Sequence, residues 1–166
     1  MLNRLLYNTL ILLSTPYALW RLYKRYRGSG AVPWREYFGF CPPNNSKQPL
    51  LWIHSVSLGE AIAAAELAKQ MQADGYRLLL TYTTPAARDW LRQHYPEALI
   101  TALPLDLPAA VRLFFRRTRP VAGIVMEAEY WYNLLSVAKA SGIRLMLANA
   151  RLGTKNARRY RYIALL

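Results

Sequence analysis

Cysteine occurs once in this 166-residue chain, at Cys41, and histidine only twice, at His54 and His94. One thiol forms no intrachain disulfide, and so few Cys and His exclude a zinc site built from them. The expectation is no metal and a reducing compartment. Acidic residues are also scarce, nine against 22 Lys and Arg, which leaves a formal charge of +13. Each well-placed carboxylate is therefore a candidate for chemistry. Internal repeats and low-complexity runs are missing, which excludes solenoids, and a 54% hydrophobic fraction excludes disorder. No apolar run reaches the ~20 residues that span a bilayer comfortably. No small-residue cleavage signal follows the N-terminal apolar segment, so a removed signal peptide is excluded.

What is present begins with that segment. Residues 5–20 are mostly apolar, and Tyr17, Trp20, Tyr23 and Tyr26 interleave with Arg21, Lys24, Arg25 and Arg27. Aromatics beside Lys and Arg are the signature of a membrane–water interface. Residues 1–48 carry seven Lys/Arg and one acid, Glu36, so +6 of the charge lies there. Residues 1–27 are predicted to form a membrane-anchor helix, spanning or in-plane, that leaves the globular part on the cytoplasmic side; the alternative is a core helix that packs on the domain. Residues 28–49, rich in Gly, Pro and Asn, read as a loop or linker with one helical turn near 34–38.

From residue 50 the pattern alternates. Apolar strand candidates at 50–55, 76–82, 98–103, 120–126 and 143–148 are separated by helical segments near 59–73, 85–95, 107–118 and 130–140. Strands alternating with 10–15-residue helices imply right-handed βαβ units and a Rossmann-like parallel sheet in an α/β domain over 50–166. Ser57 and Thr84 suit N-caps, Pro85 a first helical position, and Gly75 and Gly142 helix C-termini. Residues 151–166 begin another basic helix.

Ligands of open parallel sheets bind beyond the carboxyl ends of the strands. Four unusual segments fall there: Ser55–Glu60, Thr81–Pro85, Glu127–Asn133 and Asn149–Arg151. Ser57-Leu58-Gly59-Glu60 has capping-box spacing, in which Glu60 reaches back to the Ser57 amide. The same carboxylate, beside a glycine that admits close approach, fits a general base. Glu127 and Glu129 share one side of an extended segment, and they either favour the following helix start or face a site, with Arg151 as their cation. Thr83 and Thr84 offer hydroxyls and helix-start amides to phosphate or sugar oxygens, or simply cap. Gly28-Ser29-Gly30 follows no strand and is no dinucleotide fingerprint. No nucleic-acid-binding signature accompanies the basic charge.

Taken together, Trp52–Glu60, Thr81–Pro85, Leu103–Pro108, Met126–Leu135 and Asn149–Leu152 resemble the N-terminal half of bacterial Kdo (3-deoxy-D-manno-octulosonic acid) transferases of lipopolysaccharide synthesis. Arg35 and Gly39 resemble the Arg and Gly of that family's acceptor loop. The resemblance implies a GT-B glycosyltransferase needing no metal or other cofactor. Its N-terminal half holds the lipid A precursor, lipid IVA, and its C-terminal half, for which this chain has no counterpart, binds the donor CMP-Kdo. Glu60 matches the general base. Glu127 and Glu129 match the second acidic motif, and Ser57, Gly59, Arg35, Thr83, Thr84, Asn149 and Arg151 fall at acceptor-side positions. Tyr132, Ala86-Ala87, Gly153 and Asn156 depart from the family's pattern. The implied location is the cytoplasmic face of the bacterial inner membrane. The competing reading is a non-catalytic, membrane-associated glycolipid-binding module.

Overall fold

Five short apolar segments line up as one sheet; four are buried under helices on both faces, and the fifth, at the sheet edge, is largely exposed. The computed structural model describes residues 2–127 and 131–149. The strands are β1 (Leu50–His54), β2 (Arg77–Tyr82), β3 (Leu99–Ala102), β4 (Ala122–Met126) and β5 (Arg144–Ala148). The helices are α1 (Leu2–Tyr26), α2 (Trp34–Tyr37), α3 (Leu58–Ala63), α4 (Ala65–Ala73), α5 (Pro85–His94), α6 (Pro108–Thr118) and α7 (Tyr132–Ala140). All four strand pairings are parallel, in the order β3-β2-β1-β4-β5. This is the Rossmann-like sheet the alternation predicted, with strand ends trimmed by a residue or two. Residues 151–166, read as a basic helix, lie outside the described residues.

Alternation along each strand sorts the core into two layers. Leu51, Ile53, Leu78, Leu80 and Met126 face α1, α3, α4 and α5. Leu50, Trp52, Leu79, Leu99 and Val125 face α6 and α7. Gly123 is needed in the second layer, where a Cβ would stand 2.5 Å from the Trp52 ring. The segment read as a helix over 59–73 is kinked at Ala64. That residue stays in the right-handed helical region, and its carbonyl still accepts from Ala68 N–H at 2.9 Å.

The N-terminal region departs most from a separate anchor and linker. Helix α1 lies against the domain, with Leu22 and Tyr26 buried in the first core layer. Leu5, Leu6, Leu10, Leu12, Leu13, Tyr17, Trp20 and Tyr23 stay exposed. Among the described residues no helix is long and apolar enough to cross a membrane. The 28–49 segment is bonded to the sheet rather than hanging from it. Glu36 accepts Ala102 N–H at 2.6 Å and Tyr82 O–H at 3.2 Å, and Leu105 N–H donates to Tyr37 O at 2.9 Å. Gly39, at φ 84, packs its Cα against the Ala110 carbonyl, where any Cβ would collide. Packing by itself requires a glycine there.

Candidate functional site

In a 3-2-1-4-5 sheet the chain leaves β1 and β4 in opposite directions, so a crevice opens between their carboxyl ends. The β1–α3 turn, carrying Glu60, and the β4–α7 turn, carrying Glu127, flank that crevice. The two acidic segments singled out in the sequence thus fall at the topological switch point.

The Glu60 corner is built by local hydrogen bonds. Ser57 is extended (φ −113, ψ 165) and caps α3, its Oγ accepting Glu60 N–H at 3.3 Å. Glu60 Oε1 accepts Ser57 O–H at 2.9 Å, and Oε2 accepts Val56 N–H at 2.7 Å. The capping box is therefore present with one correction: the reciprocal donor is Val56 N–H, one residue before the expected Ser57 amide. The bond to Val56 draws the carboxylate over the end of β1. Gly59 is exposed, and an added Cβ would meet only Ser57 Oγ, at 3.9 Å. Packing does not demand a glycine there.

The β2 corner splits the two threonines. Thr84 is an ordinary N-cap, its Oγ1 accepting Ala87 N–H at 3.3 Å. Thr83 O–H donates to Val56 O at 2.8 Å, and Thr83 O accepts from Arg25 at 3.0 Å. Thr83 thereby ties the β1 corner to α1.

Glu127 ends β4 in the left-handed region (φ 58), its amide donating to Ala148 O at 2.9 Å. Asn149 ends β5 in the same region (φ 52) and is exposed. Asn tolerates this conformation, but for Glu it costs about 1–2 kcal/mol. Strain of this kind collects at functional sites. Glu129 and Arg151, read as the partners of Glu127, lie outside the described residues. Among the described residues no three of His, Cys, Asp and Glu gather closely enough to hold a metal ion.

Beneath α1 lies a cavity of about 450 Å³, walled by Val56, Thr83, Leu103, Pro104, Leu105, Asp106 and Trp131 from the strand ends. Ala18, Arg21, Leu22 and Arg25 form its roof, with Tyr37 at one side. Arg35 is not among its walls. Tyr37 lines it instead, about 200° further round the turn, while Arg35 lies over Phe40 at 5.7 Å in a separate open groove. Glu60 is not among the cavity's walls either.

Asp106 is the residue the sequence reading passed over. Only 4% exposed, it accepts Tyr7 O–H at 2.6 Å from α1, and Asn133 N–H at 3.1 Å and Leu134 N–H at 2.8 Å from the start of α7. Asn133 Nδ2 adds bonds to Asp106 O and Asn8 Oδ1. Burial pushes the Asp106 carboxyl above its usual range, against the pull of those three donors. The signal for it was a carboxylate inside an apolar, proline-bounded stretch, Leu103–Pro108. Asp106 clasps α1 and α7 together at the cavity's edge.

Below this edge, His54, Thr81 and Thr101 form a buried polar row across β1, β2 and β3. Thr81 Oγ1 accepts Trp52 Nε1–H at 2.8 Å and lies 2.9 Å from His54 Nδ1. Burial lowers the His54 pKa to about 4, so the ring is neutral.

A model of the 3-deoxy-D-manno-octulosonic-acid transferase (kdotransferase) family matches residues 33–166. The chain belongs to the Kdo transferase family. The 3-deoxy-D-manno-octulosonic acid transferase of Haemophilus influenzae is 36% identical over 133 residues, 75% of this chain and 30% of that protein. The Bordetella pertussis transferase is 37% identical over 114 residues, 65% and 27% of the two chains. The Aquifex aeolicus transferase is 36% identical over 95 residues, 56% and 26%. The chain thus spans about 30% of the length of the Haemophilus relative.

Proposed function

We propose that this chain is the acceptor-binding part of a CMP-Kdo-dependent, GT-B-type Kdo transferase acting on the lipid A precursor at the cytoplasmic face of the bacterial inner membrane. Family membership supplies the reaction class. The observation that carries the reading is Glu60: a carboxylate at the β1/β4 crevice, with each oxygen held by one donor from its own corner. A carboxylate oxygen has further lone pairs, so the fixed group still accepts an incoming hydroxyl.

Glu60 takes the proton of an acceptor sugar hydroxyl as that oxygen bonds to the anomeric carbon of Kdo. The bond from that carbon to the phosphate of CMP breaks, and CMP leaves with the electron pair. The two donors hold the Glu60 carboxylate aimed, the geometric requirement for a general base. Glu127 borders the same crevice, and by resemblance Glu129 belongs to the same acidic motif. The outward apolar and aromatic residues of α1 suit an in-plane interfacial helix, and each Lys or Arg near an anionic surface adds roughly 1 kcal/mol.

A chimera in which this chain replaces the matched region of the Haemophilus transferase tests the reading. Transfer of Kdo from CMP-Kdo to lipid IVA is expected. An inactive, folded chimera that still binds lipid IVA would instead favour the binding-module reading. That alternative draws on the same observation, because both Glu60 oxygens already serve the α3 cap.

A further inference from the structure

Neither main-chain group of Val56 has a main-chain partner among the described residues. The β1–β2 ladder closes one residue earlier, where Ser55 N–H donates to Thr81 O at 3.0 Å. Val56 is held instead by two side chains. Its N–H donates to Glu60 Oε2 at 2.7 Å, and its carbonyl accepts Thr83 O–H at 2.8 Å. A single residue thus links the carboxylate to a threonine on the neighbouring corner.

The two donors of Glu60 differ in what fixes them. Ser57 O–H is a rotor on a short side chain, whereas Val56 N–H points where the main chain points. The Val56 bond draws the carboxylate over the end of β1, so the aim of Glu60 follows the orientation of Val56. A half-buried carbonyl stripped of its donor turns to find another. The amide across the same Cα turns with it.

Thr83 is itself anchored on three sides. β2 ends at Tyr82 just before it, Thr84 caps α5 just after it, and Arg25 of α1 donates to its carbonyl at 3.0 Å. Its β-branched side chain has few χ1 choices. The bond therefore ties Val56 to a fixed point and not to a loop free to follow it. A threonine has one hydroxyl hydrogen, and here it is spent on Val56, leaving no donor for a substrate oxygen.

We propose that Thr83 is a positioning residue for the transfer, its hydroxyl fixing Val56 so that the Val56 amide aims Glu60. The proposal rests on the reading of Glu60 as general base and adds what keeps that base in place.

The test is a double-mutant cycle in the Haemophilus chimera, measuring Kdo transfer to lipid IVA. Thr83→Val keeps the branched shape and removes the donor, while Thr83→Ser keeps the donor. Thr83→Val should lower kcat about tenfold at unchanged KM for lipid IVA, a misplacement of ~1 Å being able to cost about 10²-fold. Thr83→Ser should restore most of that loss. In a Glu60→Gln background Thr83→Val should cost nothing further, because no base is left to misplace. A retained kcat in Thr83→Val, or an equal further fall in the Glu60→Gln background, would overturn the proposal. So would a raised KM at retained kcat, which would mark Thr83 as an acceptor contact. Turnover that survives Glu60→Gln would overturn the base reading, and the proposal with it.

A second measurement needs no turnover: amide hydrogen exchange in the chain itself, at Val56 against Ser55. Thr83→Val should speed exchange at Val56 at least ~tenfold and leave Ser55 unchanged. Equal acceleration of both would mean only a weakened corner, and an unmoved Val56 would mean that Thr83 does not hold it. Either result overturns the proposal.

Discussion

The β1–α3 and β4–α7 corners look alike in the sequence, each an apolar strand running into a carboxylate before a helix, yet they are opposite in physical state. At the first, Ser57 caps the helix and both Glu60 oxygens find donors within four residues. At the second, α7 begins without a side-chain cap of its own, and its first amides go to Asp106 from another loop. Glu127 meanwhile sits left-handed. One acid is locked by its neighbours in sequence. The other is held in a costly conformation by its strand's exit. A carboxylate with stabilising local bonds has a structural reason to be there; a strained one lacks it.

The largest effect expected from this comparison lies directly below both corners, at His54, whose register partner on β4 is Val125. Its folded pKa is about 4 against an ordinary 6.5, so the unfolded chain binds the extra proton between those values. The stability this contributes is present above pH 6.5 and is lost as pH falls through 4, roughly 3 kcal/mol in all. Urea unfolding from pH 7 to 4 should show that slope in the natural chain and not in His54→Gln. Asp106 pulls the other way, because its raised pKa makes protonation favour the fold on acidification. It is common to both chains and cancels in the difference.

Next in size is Glu127→Gly. Relief of the left-handed strain should raise stability by about 1 kcal/mol, read as a higher urea midpoint at unchanged slope. A loss of stability would mean that the Glu127 side chain makes a favourable bond and that the contrast between the corners is false. The smallest effect belongs to Gly59→Ala. With open space around the new Cβ, a gain of about 0.4–1 kcal/mol is expected. A weakened affinity for lipid IVA beside that gain would mark Gly59 as a point of close approach.

The fold was legible because parallel strands covered on both faces must read as short apolar runs, and because Ser57, Thr84 and Pro85 signal helix starts through local chemistry. The Glu60 corner was legible for the same reason. Asp106 was not, since its donors lie 27, 28 and 99 positions away and only folding brings them together. Where Arg35 faces was not legible, because a one-turn helix decides which of its residues faces the cavity, and the sequence around it has no periodicity long enough to say. Packing of α1 on the domain was legible only as an alternative to an anchor. Its apolar residues run nearly all round the helix, so an inner stripe of Leu22 and Tyr26 was not separable from an outer, lipid-suited one.

The most direct measurement compares Glu60→Gln with Ser57→Ala in the Haemophilus chimera, recording Kdo transfer and urea stability for each. Both substitutions remove part of the α3 cap and should cost about 1 kcal/mol. Only Glu60→Gln should also lower turnover, by at least 100-fold, the span of general-base catalysis being about 10²–10⁴. Turnover that survives Glu60→Gln, or falls equally in Ser57→Ala, would make Glu60 a cap and nothing more.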